Sequence, residues 1–305
     1  MLMNKELAEC CVLYALTPVH AGSGQALGTV DLPIQRERHT QWPQVQSSGV
    51  KGAFRDWFVR YYLENGNEAA SDKERQAEKL ASQVFGKEEG GEGNNGQAGA
   101  VSVTDARLLA FPVRSNIAPF VWVTCPAILT RLKRDLELCG SPVAIPIVAP
   151  AKDDDGVDVS CGAGNGKQVV LEDMVVTAAA NDQAGALKTA FATLTPQVER
   201  LLLVSDNAFS FLVETATEVQ PQIKIDMATG TTVDGSLRYQ ELLPADSVLY
   251  LLMFFGQERK KEGPEAATVL RELVKTAISA HVQIGGDMTL GRGIMAVNWL
   301  AKAEK

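Results

Sequence analysis

The sequence is poor in the residues from which disulfide frameworks and zinc sites are built. It contains five cysteines and three histidines in 305 residues. The cysteines are odd in number, scattered, and never spaced as CxxC, which argues against both kinds of site. We therefore expect reduced, mostly buried thiols, and we expect any metal ion to have oxygen ligands.

Long apolar runs are also missing. The longest lies at about residues 248–255, well short of the roughly 18 residues that cross a bilayer. Glu6 and Glu9 precede a short apolar run, and no basic segment lies ahead of it, so we expect no signal peptide. These features predict a cytoplasmic protein without a membrane partner. A hydrophobic fraction of 46% and a charged fraction of 22% indicate a folded chain.

The net charge of −8 is unevenly distributed. Residues 62–96 carry −4 and residues 151–182 carry −5, so the rest of the chain is close to neutral. Both windows resemble insertions, and residues 90–96 and 153–156 are predicted to be mobile loops. Residues 31–60 carry a local excess of +2, which would suit a polyanion despite the acidic whole.

Strand and helix patterns alternate in the first half of the chain. Strands are predicted at 11–17, 100–110 and 120–124, and helices at 48–63 and 126–139. This order favours an α+β fold, a ferredoxin-like (RRM-like) sheet with both helices on one face.

The second half adds further elements. Residues 218–226 and 236–241 flank a turn-rich segment and predict a β-hairpin. We expect a buried strand at 247–255, a helix at 265–280 and a glycine-interrupted strand pair at 281–299.

A first group of candidate binding residues lies at the start of the predicted helix, where Ser48, Lys51 and Arg55 accompany Gly49 and Gly52. Free backbone N–H groups and the helix dipole attract phosphate, and Lys51 and Arg55 lie one turn apart. An ordinary capped helix with solvated basic residues would have the same pattern.

A second group is the glycine-rich segment 283–294. Its Gly-x4-Gly-Arg spacing is not a nucleotide-binding P-loop, because Arg292 and Gly293 replace the required Lys and Ser/Thr. The glycines would let backbone approach phosphates or bases closely, with Arg292 supplying charge. A tight hairpin that needs positive φ is an equal alternative.

The third group consists of His20 and Asp31, both in a loop rich in glycine and proline. A carboxylate beside a phosphate-binding surface could hold a divalent ion or orient an attacking hydroxyl. Loop aspartates more often cap turns, and isolated histidines more often satisfy a local hydrogen bond.

Taken in order, these segments resemble the repeat-associated mysterious protein (RAMP) superfamily, and specifically the backbone subunit of Cmr-type (type III-B) CRISPR effector complexes. The match spans most of the chain. The Ser-x-x-Lys-Gly helix start and the terminal glycine loop are superfamily features, whereas two segments are more specific. These are the Asp-Leu-Pro loop at residues 30–37 and the Thr-Asp-Ala-Arg-Leu-Leu segment at residues 104–109.

The resemblance implies a single domain over residues 1–305, with a ferredoxin-like palm and a β-hairpin thumb. Insertions are expected at 62–100 and 140–185, and the thumb region at 205–247. The expected partners are a CRISPR RNA, a target RNA, further copies of the chain and other subunits of the Cmr-type complex. Copies would line up along the CRISPR RNA and cut the target at regular intervals.

The resemblance also implies roles for particular residues. Asp31 matches the catalytic aspartate, with His20 and Glu241 as helpers. The residues expected to contact RNA are Ser48, Lys51, Arg55, Gly285, Gly286, Gly291, Arg292 and Gly293. If the ribose 2′-hydroxyl attacks the adjacent phosphate, no protein nucleophile is needed. A weakly bound divalent ion, Mg²⁺ or Mn²⁺, would lie near Asp31.

Two other functions stay open. A non-catalytic scaffold that binds CRISPR RNA would keep Lys51, Arg55 and the glycine loop but would not depend on Asp31. A monomeric guide-processing enzyme is more distant, because the segment at residues 104–109 is typical of the backbone branch.

Overall fold

The structure is a computed structural model that describes residues 7–26, 28–66, 70–87 and 96–300. The helices in these residues are α1 (Ser47–Asn65), α2 (Ala70–Phe85), α3 (Pro126–Cys139), α4 (Ala184–Leu194), α5 (Asp206–Thr215) and α6 (Ala267–Ala277). The strands are β1 (Ala8–Ala15), β2 (Gln44–Val45), β3 (Gly86–Lys87), β4 (Gln97–Ala98), β5 (Val101–Val103), β6 (Ala106–Arg114), β7 (Phe120–Thr124), β8 (Asp155–Asp158), β9 (Gln168–Leu171), β10 (Met174–Ala179), β11 (Leu201–Val204), β12 (Glu218–Gln222), β13 (Arg238–Leu242), β14 (Val248–Phe255), β15 (His281–Gln283) and β16 (Ile294–Trp299).

One large mixed sheet organises the fold. Its strand order is β15-β16-β1-β14-β6-β7-β11-β8-β10-β9, and β2 and β5 pair with β6 and β14. The pairs β7–β11 and β8–β10 are parallel, whereas β1, β14, β6 and β16 pair antiparallel. Separate two-stranded sheets are formed by β12 with β13 and by β3 with β4.

Helices cover both faces of this sheet at β1, whose eight residues are all buried. Cys10 and Cys11 point to opposite faces, as successive strand residues do. Cys10 lies near Cys139 of α3, and Cys11 lies near Lys275 of α6. Because α1 packs against α6, α3 lies on the face opposite α1. The prediction that helices 48–63 and 126–139 share a face is therefore wrong.

The main helices and strands form where their patterns predict them. In α1 the residues Val50, Phe54 and Phe58 recur every fourth position and are buried, which gives the helix its core-facing side. Helix α3 ends at Gly140, whose φ of 69° is the left-handed conformation that closes many helices. All five cysteines are buried, as expected.

The segment predicted as one strand at 100–110 consists of β5 and β6, which are separated by Thr104 and Asp105. The backbone N–H of Leu252 donates to the Thr104 hydroxyl at 2.9 Å. Asp105 Oδ1 accepts from the N–H of Ser47 at 2.7 Å. Their side chains replace ladder pairing at this point, so the strand is interrupted.

The acidic windows contain regular structure. In α2 the residues Ala77, Ala81 and Val84 are buried at helical spacing. A mobile loop is predicted at 153–156, but Asp155 and Gly156 belong to strand β8. The prediction is wrong for these two residues, because Gly156 is buried between Leu202 and Val176. Of the other predicted loop, residues 90–95 lie outside the described part.

The predicted hairpin is confirmed. Strands β12 and β13 pair from Glu218 with Leu242 to Gln222 with Arg238. The predicted thumb region 205–247 also contains α5, a helix with a buried face. Among the described residues, no helix combines the length and apolar character that a bilayer crossing requires.

Candidate active site and nucleic-acid interface

Asp31 lies at the base of the β12–β13 hairpin. Its Oδ2 accepts a hydrogen bond from the backbone N–H of Tyr239 at 2.7 Å. The next residue, Leu32, extends alongside β13, donating to the Tyr239 carbonyl and accepting from the Glu241 N–H, each at 3.0 Å. Within the described residues no donor contacts Asp31 Oδ1, so that oxygen is available to a ligand.

His20 lies on the same edge of β13. Its Nδ1 is 2.8 Å from the carbonyl oxygen of Glu241. Because a carbonyl only accepts, Nδ1 carries the proton, and Nε2 of the neutral ring has a free lone pair. Nε2 faces Gly22, where an added Cβ would be only 2.8 Å away.

The structure thus brings two of the predicted catalytic residues to one strand edge. Asp31 bonds to Tyr239 and His20 bonds to Glu241, positions about 7 Å apart along an extended strand. One side chain can accept a proton and the other presents a negative oxygen. This pair is suited to proton transfer beside a phosphate.

Glu241 is buried, and both its carboxylate oxygens are occupied. Oε1 accepts from Arg36 at 2.5 Å and from the Thr217 hydroxyl at 2.9 Å, and Oε2 accepts from the Ile34 N–H at 3.0 Å. These contacts tie the loop of Asp31 to the hairpin. They favour a positioning role for Glu241, and its direct part in catalysis stays a prediction.

A second carboxylate, Glu37, fixes the other end of that loop. It accepts from Arg131 of α3 at 2.8 Å and from the Thr40 hydroxyl at 2.6 Å. The Arg131 guanidinium also lies over the Trp42 ring, 4.9 Å from its centroid. Burial alone would raise the pKa of Glu37, but these hydrogen bonds and the Arg131 charge outweigh it, so the pKa is lowered.

Glycines of the terminal segment contact the backbone of His20. The N–H of Gly286 donates to the His20 carbonyl at 2.9 Å. Gly285 has φ 92°, and an added Cβ would lie 2.6 Å from the same oxygen. A Cβ on Gly293 would lie 2.0 Å from the Ile284 carbonyl. Tight intramolecular packing therefore accounts for two of these glycines, whereas Gly291 has φ 72° and open space around it.

Arg292 joins the glycine loop to both strands of the hairpin. Its Nη1 donates to Asp287 at 2.8 Å and to Gln240 at 2.9 Å, and its Nη2 donates to Gln220 at 2.8 Å. Only 13% of the side chain is exposed. Its predicted contact with RNA stays a prediction, and the geometry gives it a structural task as well.

Ser48, Lys51 and Arg55 lie together at a different place. They line an open cleft of about 860 Å³ between α1 and the β3–β4 pair. In the described part of the chain, the N–H groups of Ser48 and Gly49 have no acceptor, as expected at a helix start. Arg55 is partly engaged by Glu78 of α2 at 2.7 Å. The cleft therefore offers donors and positive charge to an anion.

Metal binding by protein groups alone is not supported. No group of three or more His, Cys, Asp or Glu side chains in the described residues could hold an ion. Binding of Mg²⁺ or Mn²⁺ by Asp31 stays a prediction, and such ions commonly use one or two carboxylates together with substrate phosphates.

Sequence reasoning missed residues that hold this site. Arg36 and Glu37 are the last two residues of the loop at residues 30–37, so their charge was a usable signal. Arg131 had no such signal, because its partner lies 94 positions away in the chain.

Comparison with known proteins assigns the class to which this fold and site belong. The sequence model of the RAMP superfamily matches residues 12–296. The chain belongs to this superfamily.

Particular relatives are similar over nearly their full length. The "CRISPR system Cmr endoribonuclease Cmr4" of Pyrococcus furiosus is 34% identical, with 93% of each chain covered. The "CRISPR system CMR subunit Cmr4" of Saccharolobus solfataricus is 24% identical, with 94% of each chain covered.

Solved structures agree in fold. "Crystal structure of oligomeric Cmr4 from Pyrococcus furiosus" has a TM-score of 0.69 at 28% identity, covering 96% of this chain and 97% of that one. "Cryo-EM structure of the Type III-B Cmr-beta bound to cognate target RNA" includes a chain with a TM-score of 0.71 at 20% identity, with coverage of 96% and 97%.

Proposed function

We propose that this chain is the backbone subunit of a Cmr-type (type III-B) CRISPR effector complex and that it cleaves RNA complementary to the bound CRISPR RNA. The 34% identity to an endoribonuclease over 93% of the chain supports this function. The observation that carries the cleavage role is that Asp31, whose Oδ1 meets no donor in the described residues, lies on the same edge of β13 as His20.

The ferredoxin-like palm comprises different elements from those first predicted. We assign it to β1, α1, β6, β14, α6 and β16. Their order in the sheet, β16-β1-β14-β6, is the 4-1-3-2 arrangement of that fold, with each strand antiparallel to its neighbours. The helices α1 and α6 cover one face, and β12–β13 forms the thumb.

In cleavage, the ribose 2′-hydroxyl loses a proton and the leaving 5′-oxygen gains one. His20 Nε2 accepts the proton of the ribose 2′-hydroxyl, whose oxygen then attacks the adjacent phosphorus. The bond from phosphorus to the 5′-oxygen breaks, and that oxygen takes a proton from a water molecule. The products are a 2′,3′-cyclic phosphate and a 5′-hydroxyl. Asp31 orients the reacting ribose-phosphate, and no protein nucleophile is required.

The proposed activity depends on a divalent ion. Asp31 Oδ1 is the side-chain oxygen that would hold Mg²⁺ or Mn²⁺. When bound, such an ion would neutralise negative charge on the phosphate of the target RNA. Because one protein oxygen holds it, removal by a chelator should be easy.

Assembly with other molecules forms part of the proposal. Relatives are described as oligomeric and as parts of a complex bound to target RNA. We infer that copies of this chain line up on a CRISPR RNA beside other Cmr-type subunits, with Ser48, Lys51 and Arg55 holding the guide. Base pairing then selects the target, as in other RNA-guided effectors.

The cytoplasmic location of this chain stays a prediction.

The test is to assemble the complex on a CRISPR RNA and add a matched RNA with Mg²⁺ or with chelator. Regularly spaced cuts in Mg²⁺ alone support the proposal. Guide binding and assembly without any cuts would favour the non-catalytic scaffold.

A further inference from the structure

We propose that α2 and the loop after β14 extend the guide-binding surface into a second cleft, where Arg75, Lys79 and Lys87 bind the phosphodiester backbone of single-stranded RNA. This inference rests on the proposed function, because it lengthens the contact that begins at Ser48 and Lys51. No residue of α2 was assigned a role by sequence reasoning.

The two clefts are adjacent and share part of their lining. The second has a volume of about 690 Å³ and lies between α2, the β3–β4 pair and the loop after β14. Arg55, Lys87 and Gln97 line both clefts. An extended polymer bound at the start of α1 can therefore continue across α2 without leaving the surface.

The charge of this surface is opposite to that of the whole chain. Among the described residues, six cationic side chains line the two clefts: Lys51, Arg55, Arg75, Lys79, Lys87 and Lys260. Two carboxylates of the described residues, Glu78 and Glu258, also line them, so these eight side chains sum to +4 in a chain of −8. Such a local concentration of positive charge attracts a polyanion.

Three of these cations are available to a ligand. Arg75, Lys79 and Lys87 are exposed, and no carboxylate in the described residues forms an ion pair with them. Arg75 and Lys79 are four residues apart and so lie on one side of α2. Arg55 and Lys260, by contrast, are already paired with Glu78 and Glu258.

The loop that closes the cleft is fixed to α2. Glu258 is 4% exposed and accepts from Gln83 at 3.1 Å, from Lys260 at 2.8 Å and from the N–H of Glu265 at 3.0 Å. Burial would raise the pKa of Glu258, but these contacts outweigh it and lower the pKa. The cleft therefore has a defined wall before RNA binds.

The chemistry of the lining indicates backbone recognition. Among the described residues that line the two clefts, Phe85 is the one aromatic, and it is buried against Phe58. Without an exposed ring on which bases could stack, binding would depend on phosphate charge and not on sequence. That property suits a guide whose sequence differs from one copy of the complex to another.

The test compares four variants of the full-length chain in binding to a fluorescently labelled single-stranded guide RNA over a series of salt concentrations. The first variant is Arg75→Gln/Lys79→Gln/Lys87→Gln. The second is a matched control at three exposed lysines outside the clefts, Lys152→Gln/Lys167→Gln/Lys188→Gln. The third, Lys51→Gln/Arg55→Gln, reports on the proposed function itself.

We expect the first variant, Arg75→Gln/Lys79→Gln/Lys87→Gln, called the α2 variant below, to bind the guide RNA at least tenfold more weakly than the wild type near 0.1 M salt. The slope of log affinity against log salt should fall by about 2, since each single-strand phosphate contact contributes about 0.7. The control should change neither value. The conservative variant Arg75→Lys/Lys79→Arg/Lys87→Arg, which keeps all three charges, should bind like the wild type, so a loss by misfolding is recognised.

The outcomes separate the two proposals. If Lys51→Gln/Arg55→Gln weakens binding and the α2 variant does not, the second cleft is refuted and the proposed function stands. If neither variant weakens binding, the guide-binding function itself is contradicted. If the α2 variant binds guide normally but loses affinity for target RNA added to the guide-loaded protein, the assignment of this cleft to the guide is overturned.

Discussion

The Arg36 guanidinium and the Glu241 carboxylate lie 2.5 Å apart and connect the loop of Asp31 to the β13 strand. The two residues are 205 positions apart in the chain. Glu241 also accepts from the N–H of Ile34, so the loop is fixed by side-chain and backbone contacts together. The position of Asp31 thus depends on an ion pair between two largely buried side chains.

Breaking this ion pair should reduce cleavage more than RNA binding. For Arg36→Gln and for Glu241→Gln we expect cleavage rates to fall by about tenfold to a hundredfold, because a displacement of about 1 Å can cost that much. The double variant should be no slower than the slower single variant, since both remove one interaction. Single-turnover cleavage by the assembled complex measures this. A much larger loss for Glu241→Gln than for Arg36→Gln would instead make Glu241 a catalytic residue.

Gly22→Ala should displace the His20 ring. The added Cβ would lie 2.8 Å from Nε2, and the ring must rotate away from its bond to the Glu241 carbonyl. We expect cleavage to fall by about tenfold or more while guide binding changes less than about twofold. Gly28→Ala is the matched control, because a Cβ there meets nothing within 4 Å. Equal cleavage by both variants would show that this ring position is unimportant.

Asp105→Ala should lower the stability of the chain. The carboxylate accepts from the Ser47 N–H at 2.7 Å and so caps α1 from outside the helix. We expect a loss of about 1 kcal/mol in the free energy of unfolding, the usual cost of a missing cap. Urea titration measures it, with Asp173→Ala, an exposed residue, as the control. If the free energy of unfolding falls no more than in the control, the contact between Asp105 and the Ser47 N–H does not stabilise the chain.

Glu37 should make stability depend on acidic pH. Its pKa is lowered from the ordinary 4.5 by the hydrogen bonds from Thr40 and Arg131, which outweigh burial. The stabilisation of the fold by the ionised Glu37 carboxylate is therefore fully present above pH 4.5, and it is lost as pH falls through the lowered pKa. At pH 7, Glu37→Gln should be less stable than wild type by roughly 1.5–3 kcal/mol, and the difference should shrink in acid. A difference that is constant from pH 7 to pH 3 would contradict this assignment.

Local patterns were sufficient to predict much of the fold. The spacing of Val50, Phe54 and Phe58 fixed α1, and the apolar run of β14 marked a buried strand. The same rules apply to α2 and to β9–β10, where buried residues recur at helical and alternating spacing. Acidity and glycine content favour the interpretation of residues 62–96 and 151–182 as insertions, and they do not predict the helix and strands within them.

The arrangement of the site could be predicted only in part. Asp31, His20 and Glu241 were identified by resemblance, but their meeting on one strand edge depends on contacts more than 200 residues apart in the chain. The face that α3 occupies likewise depends on contacts between residues far apart in the chain, those of α3 with β1. Charge count alone could not show that Arg292 is enclosed by Asp287, Gln240 and Gln220, because that enclosure forms only when the hairpin and the glycine loop meet.

The most direct test of the central claim is target cleavage by the assembled complex with Asp31→Asn, measured beside guide binding and assembly. Asparagine can still accept from the Tyr239 N–H, so the loop should stay in place while the negative charge is lost. The account predicts that regularly spaced, Mg²⁺-dependent cuts fall at least a hundredfold while binding and assembly are unchanged. Cuts that continue at the wild-type rate would contradict it and would make this chain a scaffold.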